Sequence, residues 1–166
     1  AMFLRGNHDD WNCNANLGLL QWFKSKNSVI RKWTSKVTVE FKNGQQFKIW
    51  AAHDFPGHSD WNEAHPEMKR SRITASIADM YIAGHRHNWY IHRREDLFNN
   101  RLVWLARARG YKYFDDWAVQ KGYGAQHHGA SIVVVFDPTT EDPIRRLRCF
   151  EDVSLGVDYL KGLLNA

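Results

Sequence analysis

Histidine and asparagine side chains occur in three short blocks, each of which follows an apolar segment. The blocks contain Asn7 and His8, then His53, and then His85 and His87. Imidazole nitrogen and amide oxygen suit Zn, Mn, Fe or Ni better than a metal that prefers thiolates. His85 and His87 are two positions apart, so in a turn both side chains can approach a pair of metal ions. The three blocks predict a site for divalent metal and leave the identity of the metal open.

Each block also has an interpretation without chemistry. The first would be a turn in which Asn7 caps the following segment, and His85 and His87 would be exposed loop residues. His53 would donate or accept a hydrogen bond at the end of a strand, and His58, five positions on, is an alternative metal ligand. We favour His53 over His58 because His53 directly follows the predicted strand.

The elements predicted around the blocks are strands that end where the blocks begin. Residues 2–5 predict the stub of a strand, and residues 80–83 a short apolar strand. Residues 36–41 and 46–52 predict a hairpin, because Asn-Gly between them is the strongest short signal for that turn. Ligand sites of open α/β sheets lie at the carboxyl ends of the strands, so the three blocks are expected to converge.

Helices are predicted between the strands. Apolar spacing predicts a helix from residue 16 to about 33, although the Ser-Lys-Asn segment within it favours an earlier end. A second helix with a basic outer face is predicted over 66–79. Residues 102–106 and 132–136 predict strands covered on both faces, and residues 146–153 a strand that returns antiparallel to the latter. The fold class is therefore α/β.

Length and composition bound the class of protein. A chain of 166 residues with 43% hydrophobic and 25% charged residues is typical of one globular domain, which excludes disordered and fibrous classes. We expect a single domain over 1–166 that is incomplete at its N-terminus. No apolar run approaches the eighteen or so residues of a membrane span, so no membrane partner is expected.

Cysteine and charge indicate compartment and partners. Cys13 and Cys149 have no CxxC spacing, which excludes a disulfide framework and a thiolate zinc site and leaves open a single bridge between the two. The expected location is the cytoplasm. The formal charge of +5 favours phosphorylated substrates or polyanions, so nucleic acid is an open possibility as a partner.

The three blocks together resemble a known family. Gly-Asn-His-Asp at 6–9, a strand-end His53 and Gly-His-Arg-His at 84–87 are similar, in order and separation, to the GNH(D/E), H and GHxH blocks of the calcineurin-like metallophosphoesterases. The resemblance covers residues 5–87 through motifs. It implies the C-terminal portion of a two-sheet α/β/β/α sandwich with two divalent metal ions at the sheet edges.

The resemblance also implies roles for the block residues. Asn7, His53 and His85 would bind one metal, His87 would bind the other, and His8 would be the general acid beside the leaving oxygen. Two cations about 3.5 to 4 Å apart polarise a phosphoryl group and activate water, and an imidazolium can protonate a departing alkoxide. The implied activity is hydrolysis of a phosphomonoester or phosphodiester.

Further residues are expected to support this chemistry. Asp9 would orient the loop, and Arg5 resembles an arginine that contacts substrate phosphate in family members, for which a guanidinium fork is suited. Arg107 and Arg109 begin a long stretch, 107–129, that we expect to form a mobile wall of the substrate site, and both are expected to contact the phosphate of the substrate or its flanking anionic groups.

Two motifs of the family are missing from the chain. No Asp is followed two residues later by His, and no Gly-Asp dipeptide occurs, so the Asp-x-His and Gly-Asp-x-x-Asp blocks that supply the bridging carboxylate are absent. We therefore expect the chain alone to bind at most one divalent ion weakly and to be inactive. The alternative class is a non-catalytic protein, either a degenerate phosphoesterase scaffold or a basic module that binds nucleic acid.

Overall fold

A computed structural model gives the fold of this chain. It describes residues 2–6, 28–73, 77–97, 99–109, 116–120, 122 and 131–165, and for 117 and 118 the backbone alone. The strands are β1 (Met2–Arg5), β2 (Val29–Lys32), β3 (Thr34–Glu40), β4 (Gln46–Ala52), β5 (Met80–Ala83), β6 (Tyr90–Asp96), β7 (Arg101–Arg107), β8 (Val133–Phe136) and β9 (Leu147–Phe150). The helices are α1 (His65–Ile73), α2 (Asp116–Gln120) and α3 (Val153–Leu164). The fold is mixed α/β, as predicted.

Five strands form the central sheet, in the order β3-β4-β5-β7-β6. The three inner strands, β4, β5 and β7, are parallel, and the edge strands β3 and β6 are antiparallel to their neighbours. The hairpin of β3 and β4 turns at Gly44, whose φ of +84° is readily accessible to glycine. This confirms the hairpin predicted from Asn-Gly.

The two faces of the central sheet are covered differently. One face, with Tyr81, Val103 and Leu105 in its core, is covered by α1, which contacts β5 and β7. The opposite face packs against the antiparallel pair β8 and β9 through residues such as Leu147 and Phe136. Helix α3 contacts β8 and β9. Alternate residues of β5 and β7 serve the two cores because strand side chains alternate between faces.

Strand β1 pairs in parallel with β2, apart from the central sheet. Trp33 connects β2 to β3 with a φ of 47°, an uncommon conformation for a bulky residue that turns the chain between two strands. Its indole is half-exposed. The strand predicted at residues 2–5 is confirmed.

Several predicted boundaries were wrong. Residues 29–32 of the predicted 16–33 helix form β2, and residues 16–27 lie outside the described residues. Of the predicted 66–79 helix, the structure describes His65–Ile73 as helical, and residues 74–76 lie outside the described residues. Asp79 is not helical: its N–H donates to the Lys48 carbonyl oxygen of β4 at 2.7 Å. Helix periodicity in these segments was overridden by tertiary pairing.

Besides β2, three described elements were not predicted. Strand β6 lies at the sheet edge with charged, exposed residues such as Arg93, so it lacks an apolar run. Helix α3 contains Gly156 and Gly162, which lower helix propensity, but begins at Asp152, whose side chain caps the N–H groups of Ser154 and Leu155. Helix α2 lies inside the stretch expected to be a loop. Among the described helices, none has the length and apolar character needed to cross a membrane.

Candidate functional site

The parallel strands bring two of the three predicted blocks to one edge of the central sheet. Ala52, Ala83 and Arg107 are aligned in register at the carboxyl ends of β4, β5 and β7. His53 directly follows β4, and His85 follows β5 after one glycine. We call this the carboxyl edge. The convergence predicted for His53 and His85 from strand order is therefore what the fold produces.

The imidazoles of His53 and His85 are in contact. Their ring centroids are 4.5 Å apart at an interplanar angle of 63°. The Gly84 N–H donates to the His53 carbonyl oxygen at 3.1 Å, so the two loops are also joined through the backbone. Trp33 accepts a hydrogen bond from the His53 N–H and places its indole 5.6 Å from the His53 ring. Trp33 therefore borders the imidazole pair.

Gly6, the first residue after β1, lies against the His53 ring. A Cβ atom at Gly6 would be 2.5 Å from Cε1 of His53 and 2.6 Å from Nδ1, closer than carbon atoms can approach. Only glycine fits there, and this explains the residue at the start of the first block. Asn7, His8 and Asp9 follow directly but lie outside the described residues.

The loop after β5 has an unusual backbone. His85 and His87 both have positive φ angles, 68° and 60°, in the left-handed region that non-glycine residues rarely adopt. His85 is exposed and His87 half-buried. Such conformations persist where the surroundings hold them, and they cluster at functional sites.

The described residues supply part of a metal ligand set. No group of three or more His, Cys, Asp or Glu side chains able to hold a metal ion occurs among them, so His87 does not join His53 and His85 in such a cluster. Two adjacent imidazoles are the nitrogen donors that Zn, Mn, Fe or Ni accept, and they fit a portion of the implied set. Asn7, the third implied ligand of the same ion, lies outside the described residues.

His58, the alternative to His53, contacts a different partner. Its side chain is 75% exposed, and its Nε2 is 2.7 Å from an Asp60 carboxylate oxygen. The structure favours His53 as the residue of the imidazole pair, since His53 contacts Gly6, Trp33 and His85.

Arg107 requires a correction. It was expected to contact substrate phosphate from a mobile wall, but its side chain is 1% exposed at the end of a central strand. Its Nη2 donates to Glu67 at 2.6 Å, and its Nη1 donates to Asn88 at 3.2 Å. The guanidinium is therefore committed to a buried ion pair. Arg5 and Arg109 are both half-buried; Arg5 is the last residue of β1, and Arg109 lies two positions after the end of β7.

Sequence reasoning missed two acidic partners at this edge. Asp54 accepts from Arg86, and Glu67 of α1 accepts from Arg107. The signal was present in part, because Asp54 and Arg86 each directly follow a block histidine. Tyr90 lies beside Glu67 and Arg107, and burial, reinforced by the negative charge of Glu67, raises the pKa of its phenol far above the ordinary value. Tyr90 therefore stays neutral at this edge.

The carboxyl edge thus combines a contacting imidazole pair, a glycine that admits it and buried charge pairs behind it. Comparison of the chain with family models, with curated proteins and with solved structures finds no significant match.

Proposed function

We propose that the chain contributes the carboxyl edge of a metal-dependent phosphoester hydrolase of the calcineurin-like type. The observation that carries the proposal is that Gly6 and His85 both lie against His53. Gly6 and His53 are 47 positions apart in the chain, and His53 and His85 are 32 apart. Three short blocks that match by chance have no reason to meet at one point. Blocks that build one site must do so.

The roles follow from the side-chain chemistry. His53 and His85, with Asn7, would hold one divalent ion, and His87 would hold a second. A bound divalent ion supplies Lewis acidity towards a phosphoryl oxygen. His8 would donate a proton to the departing oxygen as a general acid. Arg5 and Arg109 would offer positive charge to the phosphate.

The layers of the fold support the finer architecture within this proposal. Helix α1, the central sheet, the β8 and β9 pair and α3 succeed one another as helix, sheet, sheet and helix. A two-sheet α/β/β/α sandwich has that order, with the phosphoesterase site at the strand ends. The proposal assigns the chain to the C-terminal portion of such a sandwich.

The alternative is a non-catalytic scaffold or a basic module that binds nucleic acid. The missing Asp-x-His and Gly-Asp-x-x-Asp motifs favour it, since the bridging carboxylate of a dinuclear site would come from them. The reading frame upstream of Ala1 discriminates the two. The enzyme requires both motifs there, whereas a native protein that begins near Ala1 would leave the alternative.

Metal binding by the chain tests the site directly. We expect calorimetric titration with Mn²⁺ alone to show at most one weak site, which His53→Ala and His85→Ala abolish. His58→Ala is the matched control, because it removes an exposed imidazole from the loop that also carries His53, and it should bind like the parent chain. Equal binding by all four proteins would contradict the proposal.

Activity provides the second test. The chain alone should not hydrolyse an aryl phosphate or a phosphodiester above background in excess Mn²⁺, because it lacks the two motifs that would supply the bridging carboxylate. In a protein whose frame supplies both missing motifs, His8→Ala should lower turnover by about 10² to 10⁴ without loss of metal. Unchanged turnover there would refute the general-acid role.

A further inference from the structure

An ion pair joins the two loops that carry the contacting imidazoles. Asp54 directly follows His53, and Arg86 directly follows His85. The Nε and Nη2 atoms of Arg86 donate to the same Asp54 oxygen, Oδ2, at 3.1 and 2.9 Å. Nη2 of Arg86 also lies 3.3 Å from the carbonyl oxygen of Phe55. One guanidinium therefore binds the loop after β4 at two points.

The ion pair is backed by a second one. The other carboxylate oxygen of Asp54, Oδ1, is 3.9 Å from Nη2 of Arg107, which is itself bound to Glu67. Glu67, Arg107, Asp54 and Arg86 form what we call the charge network. It contains two carboxylates and two guanidinium groups. It connects α1, the end of β7, the loop after β4 and the loop after β5.

Burial strengthens the interactions within the charge network and fixes which groups pair. The side chains of Asp54 and Arg86 are each 26% exposed, and those of Arg107 and Glu67 are at most 1% exposed. Charges removed from water interact strongly and require defined partners. An exposed pair such as His58 with Asp60, at 75% and 82% exposure, does not fix a loop in this way.

The loop after β5 needs such a constraint. Two of its residues, His85 and His87, have positive φ, a conformation that costs about 1 to 2 kcal/mol for each non-glycine residue. Arg86 lies between them, and its N–H donates to the Gly84 carbonyl oxygen at 2.9 Å. The Arg86 side chain is thus the part of this loop that reaches across to Asp54 and Phe55.

We propose that Asp54 and Arg86 are positioning residues that hold the imidazoles of His53 and His85 in contact. Asp54 acts here through Oδ2, the oxygen that accepts both hydrogen bonds from Arg86. The inference rests on the proposed function only where it takes the imidazole pair to bind metal.

Nuclear magnetic resonance of the metal-free chain with labelled histidines tests the proposal. We expect a cross-relaxation peak between the His53 and His85 rings in the parent chain. The peak should be lost in Asp54→Ala and in Arg86→Ala, and weakened in Arg86→Lys, which keeps the charge but not the two-pronged donor. Asp60→Ala, which removes a carboxylate from the same loop, is the matched control and should keep the peak.

Amide signals of β8, β9 and α3 report whether each variant is folded. If Asp54→Ala does not fold, Arg86→Lys still tests the proposal, because its lysine keeps a positive charge beside the Asp54 carboxylate. Persistence of the peak in folded Asp54→Ala and Arg86→Ala, or in Arg86→Lys at full strength, would overturn the proposal, because the contact would then not depend on the ion pair.

Titration with Zn²⁺ alone separates this inference from the proposed function. If both are right, Asp54→Ala and Arg86→Ala should weaken Zn²⁺ binding by about 10-fold to 100-fold, as is typical when a group that orients a metal ligand is removed. Loss of the peak in chains that bind no Zn²⁺ at all, parent included, would support the positioning role while contradicting the metal site.

Discussion

The two ends of the parallel strands are both cross-linked by arginine and aspartate, but with different results. At the amino ends of β4 and β5, Asp79 accepts from the Lys48 N–H at 2.7 Å and pairs with Arg146 at 3.4 Å. Arg146 also donates to the Gln46 carbonyl oxygen at 3.1 Å. At this amino edge the charged groups pair with each other and form hydrogen bonds with backbone groups at the start of β4.

The Asp54–Arg86 pair of the carboxyl edge also binds backbone, and its exposure, 26% for each side chain, is close to that of the Asp79–Arg146 pair. It differs because the almost fully buried Arg107–Glu67 pair lies behind it and the contacting imidazoles lie beside it. Positive φ angles occur at His85 and His87. The comparison teaches that the same two residue types finish a sheet at one end and support a candidate site at the other.

Removal of Arg107 should have the largest effect. Arg107→Met leaves Glu67 charged and buried without its partner, so we expect the free energy of unfolding to fall by about 3 to 5 kcal/mol. Urea unfolding measures the loss. The double variant Arg107→Met with Glu67→Met should recover most of it, because the unpaired charge is gone, and equal losses in the single and double variants would contradict this account of the pair.

Gly6→Ala should come next. The added Cβ would meet the His53 ring at 2.5 Å, and overpacking of this kind costs about 1 to 3 kcal/mol. It should also displace His53 and weaken Zn²⁺ binding. Gly156→Ala is the matched control, since its Cβ would lie 2.5 Å from Val133 in the α3 layer, and it should change stability but not Zn²⁺ binding. Equal Zn²⁺ binding by both variants would contradict the claim that Gly6 is needed to place His53 for metal binding.

Asp79→Ala should have a smaller effect. It removes the acceptor of the Lys48 N–H and the partner of Arg146 at a partly exposed position, for which a loss of about 1 to 2 kcal/mol is typical. Thermal or urea unfolding measures it. Because the residue lies at the amino edge, the cross-relaxation peak between His53 and His85 should persist, and its loss would show that the two edges are coupled.

The smallest effect concerns acid stability. Hydrogen bonds from the Thr139 hydroxyl and N–H lower the pKa of Asp137 below its ordinary 3.8. A carboxyl with a lowered pKa in the folded state stabilises the fold above pH 3.8, and that contribution is lost as pH falls through the folded value. Asp137→Asn should therefore flatten the decline of the urea midpoint below about pH 4. An unchanged decline would assign the acid sensitivity to other carboxyls.

The sequence predicted features that depend on local signals. Asn43 and Gly44 specify the hairpin, and apolar runs specify β5 and β7, which are mostly buried, and β8, which is mostly half-buried. The meeting of His53 and His85 followed from one further rule, that parallel strands end at the same edge. That rule needs no knowledge of the side-chain contacts.

The charge network was not predictable in this way. Arg86 and Asp54 are 32 residues apart, and Arg107 and Glu67 are 40 apart, so each pair exists only once the strands are in order. Arg107 was assigned to a substrate loop because its basic side chain adjoins tyrosines and glycines in sequence. Its burial arises because β7 is an inner strand that extends to that residue.

The most direct test of the account is the coordination of one equivalent of Zn²⁺ bound to the chain, measured by X-ray absorption at the zinc edge. The account predicts imidazole scattering from two or more histidines at about 2.0 to 2.1 Å, and its loss in His53→Ala and in His85→Ala. His58→Ala should give the spectrum of the parent chain. Zinc coordinated without imidazole, or a spectrum unchanged by both substitutions, would contradict the claim that the carboxyl edge gathers His53 and His85 for a divalent metal.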